Sequence, residues 1–266
     1  QQGMPHQLWI TTTPQGYNWV YREFAAKVRP DYALYHWSAR DNPYLTPDFI
    51  RRLEESYRNE YALQEIEGRF VVVGGNAYFR QEPLVAMLDD CREPKETRLG
   101  GLVRVWRKPV VAAKYVAFGD VAWGEKGAYS CVVLADWQTG EQYAEIYGRP
   151  EHDELAQATF DVCREYNKTY LGIEANGEGV NVVTKLISLG YGDRMYHHGK
   201  NWRQEVKHRG YLTTGATRPV MLGELEEAVR VRGIVPRCKE AISEMMAFVR
   251  DEKGRPGPTV GVYSDH

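Results

Sequence analysis

A chain of 266 residues, 43% apolar and 26% charged, can bury one large core or two smaller ones and has the balance of an ordinary globular protein. Its formal net charge of −2 excludes a chain-wide basic field, so a nucleic-acid partner has to be met by local patches. No run reaches the roughly 18 apolar residues of a membrane span, no signal peptide opens the chain, and Cys91, Cys131, Cys163 and Cys238 form no CxxC pair, the usage of reduced structural thiols. "HQLWITTTP" reads as a short strand meeting a Thr-rich turn, and "YNWVYREFAAKV" carries apolar residues at helical spacing. Without an initiator Met and beginning close to a strand, this start has the pattern of a piece of a longer protein. In "DNPYLTPDFIRRLEESYRNEYALQEIEGRF", Thr46 is placed as an N-cap and Pro47 as the first residue of a charged amphipathic helix. From about 68 to 110 the chain is rich in Gly, Arg and Pro and reads as irregular or β-rich connecting structure, with a domain boundary near 105–112.

From Tyr115 the pattern becomes regular. "YVAFGD", "YSCVVLAD" and "QYAEIYGR" are β-like runs in close succession, the last two split by the hairpin-sized "WQTGE", and so are expected as antiparallel neighbours. "HDELAQATFDVCREYN" has helical spacing, "TYLGIEA" is a short apolar strand, and "GVNVVTKLISLG" is a helix ending at Gly190. A further helix, "RPVMLGELEEAVRVRG", stops at Gly233 before a short strand "IVP" and the helix "KEAISEMMAFVRD". This order predicts an α/β fold: an RNase H-like mixed sheet, three antiparallel strands then parallel-type strands, flanked by helices, with a smaller N-terminal α/linker region.

Asp120 stands where the first regular strand runs out, and Glu174 where "TYLGIE" ends. Either acid alone reads as a solvated strand end; together, on strands that a helical crossover brings side by side, they mark a candidate site. Two converging carboxylates repel unless a cation or proton lies between them. Hard oxygen donors suit Mg²⁺ or Mn²⁺, and two such ions about 3.5–4 Å apart can activate a water and stabilise the leaving oxygen of a phosphodiester. "GVYSDH" adds Asp265, beside His266, as a third candidate. No GxxxxGK[ST] loop occurs, so no ATP site is expected in this chain. His197 and His198 lack a Cys partner at zinc-ligand spacing, and Gly177 and Gly179 read as a tight turn into the following helix.

With these motifs in order, the chain resembles the large subunit of tailed-phage terminases, the DNA-packaging motors. "WITTTPQGYNWVYREF" is similar to the end of that family's ATPase domain, and "NPYLTPDFIRRLEESYRNEYALQEIEGRFV" with "NAYF" to the segment linking ATPase and nuclease. "FGDVAWGEKGAYS" and "LGIEANGEGVNVVTKLISLGY" resemble the first and second nuclease acid motifs. "GYLTTGATRPVMLGELEEAV" is similar to a Thr-Arg-Pro helix start, and "SDH" to the closing His-Asp motif. Ala128 stands where several relatives carry an acid. The resemblance implies an ATPase remnant over 1–40, a linker over 41–110 and a nuclease domain over 111–266. It implies Asp120 and Glu174 as catalytic metal ligands, with the family's third acid at or just after the His of the closing motif, where this chain offers Asp265 as the third catalytic and metal candidate. The implied activity is cutting of concatemeric double-stranded DNA in the host cytoplasm, with the small terminase subunit and portal as partners of the whole protein and no membrane. For phosphate contacts the dense basic stretch "HHGKNWRQEVKHRG" offers Lys200, Arg203, Lys207 and Arg209, joined by Arg218 at the next helix start. Two other readings stay open: an inert DNA-gripping or portal-docking fragment, and an RNase H-like nuclease of transposase or resolvase type.

Overall fold

The computed structural model describes residues 8–17, 19–25, 30–57, 60–72, 76–122, 129–197 and 209–258. The chain forms two compact units, one from residues up to 82 together with 246–258, the other from 83–245. No helix among the described residues is long and apolar enough to cross a membrane.

The first unit holds helices α1 (Pro47–Ser56) and α2 (Glu60–Glu65) and a hairpin of β7 (Phe248–Arg250) and β8 (Pro256–Pro258). As expected, the Thr46 hydroxyl caps α1 by accepting from the Phe49 amide, with Pro47 at the first helical position. Residues 21–25 form a π-helical turn, and the described part of "HQLWITTTP" contains no strand. Ile66, Val71, Phe79 and Tyr17 fill this unit's interior, and the Tyr17 hydroxyl donates to the Phe70 carbonyl at 3.0 Å. Helix α3 (Gln81–Asp89), within the segment expected to be irregular or β-rich, leads from this unit into the second.

The second unit is built on one six-stranded sheet: β1 (Glu96–Arg98), β2 (Val103–Val105), β3 (Tyr115–Asp120), β4 (Ser130–Asp136), β5 (Gln142–Gly148) and β6 (Tyr170–Ile173). The spatial order is β1-β2-β5-β4-β3-β6, antiparallel throughout except that β6 runs parallel to β3. The boundary expected near 105–112 falls between β2 and β3, and both belong to this sheet. Helix α4 (His152–Glu165) crosses from β5 to β6, α5 (Gly179–Ser188) follows β6, and α6 (Thr217–Arg230) and α7 (Lys239–Met246) close the order. "IVP" contributes one bridge, Val235 to Glu141, and no strand.

Alternation along the strands sorts the side chains between two faces. Tyr115 and Ala117, Val132 and Leu134, Ala144 and Ile146, Leu171 and Ile173 share one buried cluster with Leu155, Val162 and Cys163 of α4 and Val182, Val183 and Leu186 of α5. That core leaves Phe118, Asp120, Cys131 and Glu145 on the other face. The fold is therefore the expected RNase H-like mixed sheet.

Candidate active site

Strands β3 and β6 pair in parallel with Gly119 opposite Ile173, and the Glu174 amide extends the ladder by donating to the Gly119 carbonyl at 2.8 Å. One step further, Asp120 and Glu174 stand at the carboxyl ends of neighbouring strands. In-register side chains share a face, so the two carboxylates start about 5 Å apart at their Cβ atoms. Asp120 is exposed and Glu174 half-buried.

Glu174 is held on its other side as well. It bridges Tyr211 in parallel fashion, the Ala175 amide donates to the Tyr211 carbonyl at 2.7 Å, and the Tyr211 amide to the Ile173 carbonyl at 2.7 Å. The Tyr211 ring meets Phe118 edge-on at 5.7 Å, on the carboxylate face. Asn176 clasps the same loop: its side chain donates to the Thr213 carbonyl at 2.8 Å and accepts from the Thr213 amide at 2.9 Å. A Cβ on Gly179, the first residue of α5, would lie 1.7 Å from the Glu174 carbonyl oxygen, so only glycine lets the helix start so close behind the acid. The turn expected from "EANGEGV" is thus part of what places Glu174.

A row of groups continues across the sheet. Cys131 pairs with both Asp120 and Tyr147. Glu145, only 1% exposed, accepts from the Gln142 side chain at 3.3 Å and from the Cys131 thiol at 3.8 Å. Burial, then the charges of Glu145 and Glu244 with the Glu145 hydrogen bond and Asp120, push the Cys131 thiol well up, so it stays a neutral S–H. Sequence reading missed Glu145 and Glu244; a lone acid inside the apolar strand "QYAEIYG" was the available signal.

The donor set fits a hard divalent cation. Mg²⁺ takes one or two protein carboxylates and completes its shell with water and phosphate oxygens, as the Asp120–Glu174 pair permits. Among the described residues no three His, Cys, Asp or Glu side chains form a ready-made metal cluster. Asp265, like Lys200, Arg203 and Lys207, lies outside the described residues. Arg209 bridges His197 through its backbone, and its side chain, 12% exposed, turns to Asp193 at 3.7 Å. Arg218 is half-buried in the first turn of α6, whose start is organised by the Thr214 hydroxyl accepting from the Thr217 amide at 3.1 Å.

A mixed sheet of this order, antiparallel but for one strand laid alongside by a helical crossover, defines the fold class as RNase H-like. In structure it is similar to the large terminase nuclease from thermophilic phage G20c, with a TM-score of 0.51 and 17% identity over 71% of this chain and 92% of that one. The magnesium-bound crystal structure of that nuclease matches at TM-score 0.53 and 17% identity, over 72% and 92% of the two chains. The cobalt-bound one matches at 0.53 and 16%, over 72% and 93%. In sequence, residues 1–69 match the family model described as phage terminase large subunit. No curated protein sequence matches the chain. The family-model match and the likeness in fold both support the resemblance read from the motifs, a terminase large subunit with its nuclease domain.

Proposed function

We propose that this chain carries the metal-dependent endonuclease of a phage terminase large subunit and cuts concatemeric double-stranded DNA during genome packaging. The observation that supports it most is the in-register placement of Asp120 and Glu174 at adjacent strand ends on one sheet face. The two carboxylates would hold Mg²⁺ or Mn²⁺, with Asp265 as a third ligand and two ions in all. A bound divalent ion would supply charge stabilisation at the phosphodiester and a water acidic enough to lose a proton to solvent and so become the attacking nucleophile. The carboxylates' part is to hold position: Glu174 through the backbone ladders on both its sides, Asp120 through β3 between β4 and β6. In the whole protein the small subunit and portal would be its partners, in the host cytoplasm.

Supercoiled plasmid in Mn²⁺, with an EDTA control, tests the reading. Nicking by the wild-type chain is expected to vanish in Asp120→Ala and in Glu174→Ala while both keep the wild-type circular dichroism spectrum. Cutting retained in both variants overturns the site. A wild-type chain that binds DNA but never cuts it supports the gripping-fragment reading instead.

A further inference from the structure

We infer that Arg149, held over the Tyr129–Tyr147 stack, is a phosphate-contact point for duplex DNA lying across the carboxylate-bearing end of the sheet; this rests on the nuclease reading above. The Arg149 guanidinium carbon sits 4.3 Å from the Tyr129 ring centroid. The Tyr129 and Tyr147 rings stack at 4.8 Å with 13° between their planes, and the Arg104 guanidinium lies 5.0 Å from the Tyr147 centroid. The result is a ladder of alternating charge and ring built from β2, β5 and the approach to β4.

Register ties this ladder to the acids. Asp120, Cys131 and Tyr147 form one row across β3, β4 and β5, and the Ser130–Gly148 pair brings Tyr129 opposite Arg149 one step beyond. Strand spacings of about 4.8 Å and a rise of about 3.4 Å per residue put the Arg149 backbone roughly 12 Å from that of Asp120. At about 3.4 Å per base-pair step, that separation spans three or four steps of a duplex.

Charge points the same way. Asp120, Glu174 and Glu145 make this face acidic, which repels a polyanion unless a cation nearby holds it. Arg104 is engaged by Glu240 at 3.7 Å, whereas Arg149 is exposed and pairs with no carboxylate among the described residues. A guanidinium held over a ring keeps its N–H fork free and loses little freedom on meeting a phosphate. A guanidinium–phosphate contact positions the duplex without base readout, as sequence-independent cutting needs.

The test measures fluorescence anisotropy of a labelled 30-bp duplex with the 266-residue chain in Ca²⁺ across a salt series, for wild type, Arg149→Ala, Arg149→Lys and, as control, Arg164→Ala. Arg164 is an exposed arginine held 5.3 Å from the Phe160 ring on α4, away from the carboxylate face. Arg149→Ala is expected to weaken binding severalfold for any base sequence and to lower the log–log salt slope by about 0.9, one phosphate contact. Arg149→Lys should keep that slope, Arg164→Ala should match wild type, and melting temperatures should agree throughout. Wild-type affinity and slope in Arg149→Ala, an equal loss in Arg164→Ala, or no duplex binding by the wild-type chain overturns the inference. Cutting that survives Asp120→Ala and Glu174→Ala, with the Arg149 loss intact, instead sinks the site and leaves the contact standing.

Discussion

At the scale of the residue, glycine and cysteine carry the sharpest expectations. Gly179→Ala forces a methyl group against the Glu174 backbone, which no rotamer change relieves. It should cost about 2–3 kcal/mol by urea denaturation, at the upper end of overpacking effects. Nicking should fall further than stability alone accounts for, because the displaced atom belongs to Glu174. Gly223, inside α6 with nothing within 4 Å of an added Cβ, gives the opposite sign: Gly223→Ala should stabilise by about 0.5–1 kcal/mol. The thiols make a second expectation. All four cysteines are buried, and burial pushes Cys91 up to about 11 and Cys163 up to about 12. A thiol-specific disulfide reagent at pH 8 should therefore label none of them in the folded chain and all four in denaturant. Asp120 and Glu174 were legible as single residues because each interrupts an apolar run at its end. Glu145 was not: an acid inside a strand looks solvent-facing until the distant segment around Cys238 is folded near it.

At the scale of the element, the β4–β5 hairpin shows how a polar turn sets register. The Asp136 carboxylate accepts from the Gln138 and Thr139 amides, both at 2.9 Å, and from the Thr139 hydroxyl at 3.1 Å. Burial opposes its charge, but these three bonds outweigh it and hold Asp136 below the usual carboxylate range. A depressed folded-state value means stabilisation fully present above the unfolded value of about 3.9 and lost as pH falls through the lower folded one. Asp136→Ala should thus cost about 1–2 kcal/mol at pH 7, and the gap between variant and wild type should narrow toward pH 2 in denaturation curves. Elements with long periodic patterns or explicit caps were readable in advance: α1 behind Thr46, β3 to β5, and α4 to α6. Those that escaped are short. β1 and β2 have three residues each, too few for alternation to show; β2 forms on the edge that β5 offers, and β1 on the edge of β2. Residues 234–236 make a single bridge, and α3 was hidden by Pro83 in its first turn.

At the scale of the molecule, Asp120 and Glu174 become neighbours only because α4 carries the chain from β5 back to lay β6 beside β3. The metal-free chain then holds two like charges side by side, which gives a readout independent of cutting. Mn²⁺ should raise the melting temperature of the wild-type chain in a concentration-dependent way, as any ligand of the native state does. Asp120→Ala should abolish that rise, since one of the two carboxylates that would hold the ion is gone. A Mn²⁺ shift of equal size in the variant would separate the metal from this pair of acids. By itself the sequence determined the elements with strong period, the caps and turns, and the two acids at strand ends, because each follows from contacts within a few residues of the chain. Only the tertiary structure decided that Asp120 and Glu174 share a face, that Glu145 is buried on that same face two strands away, that Arg209 turns to Asp193, and that Arg149 stands over Tyr129. Register and packing join segments far apart in the chain, and no local pattern carries the energy of those contacts.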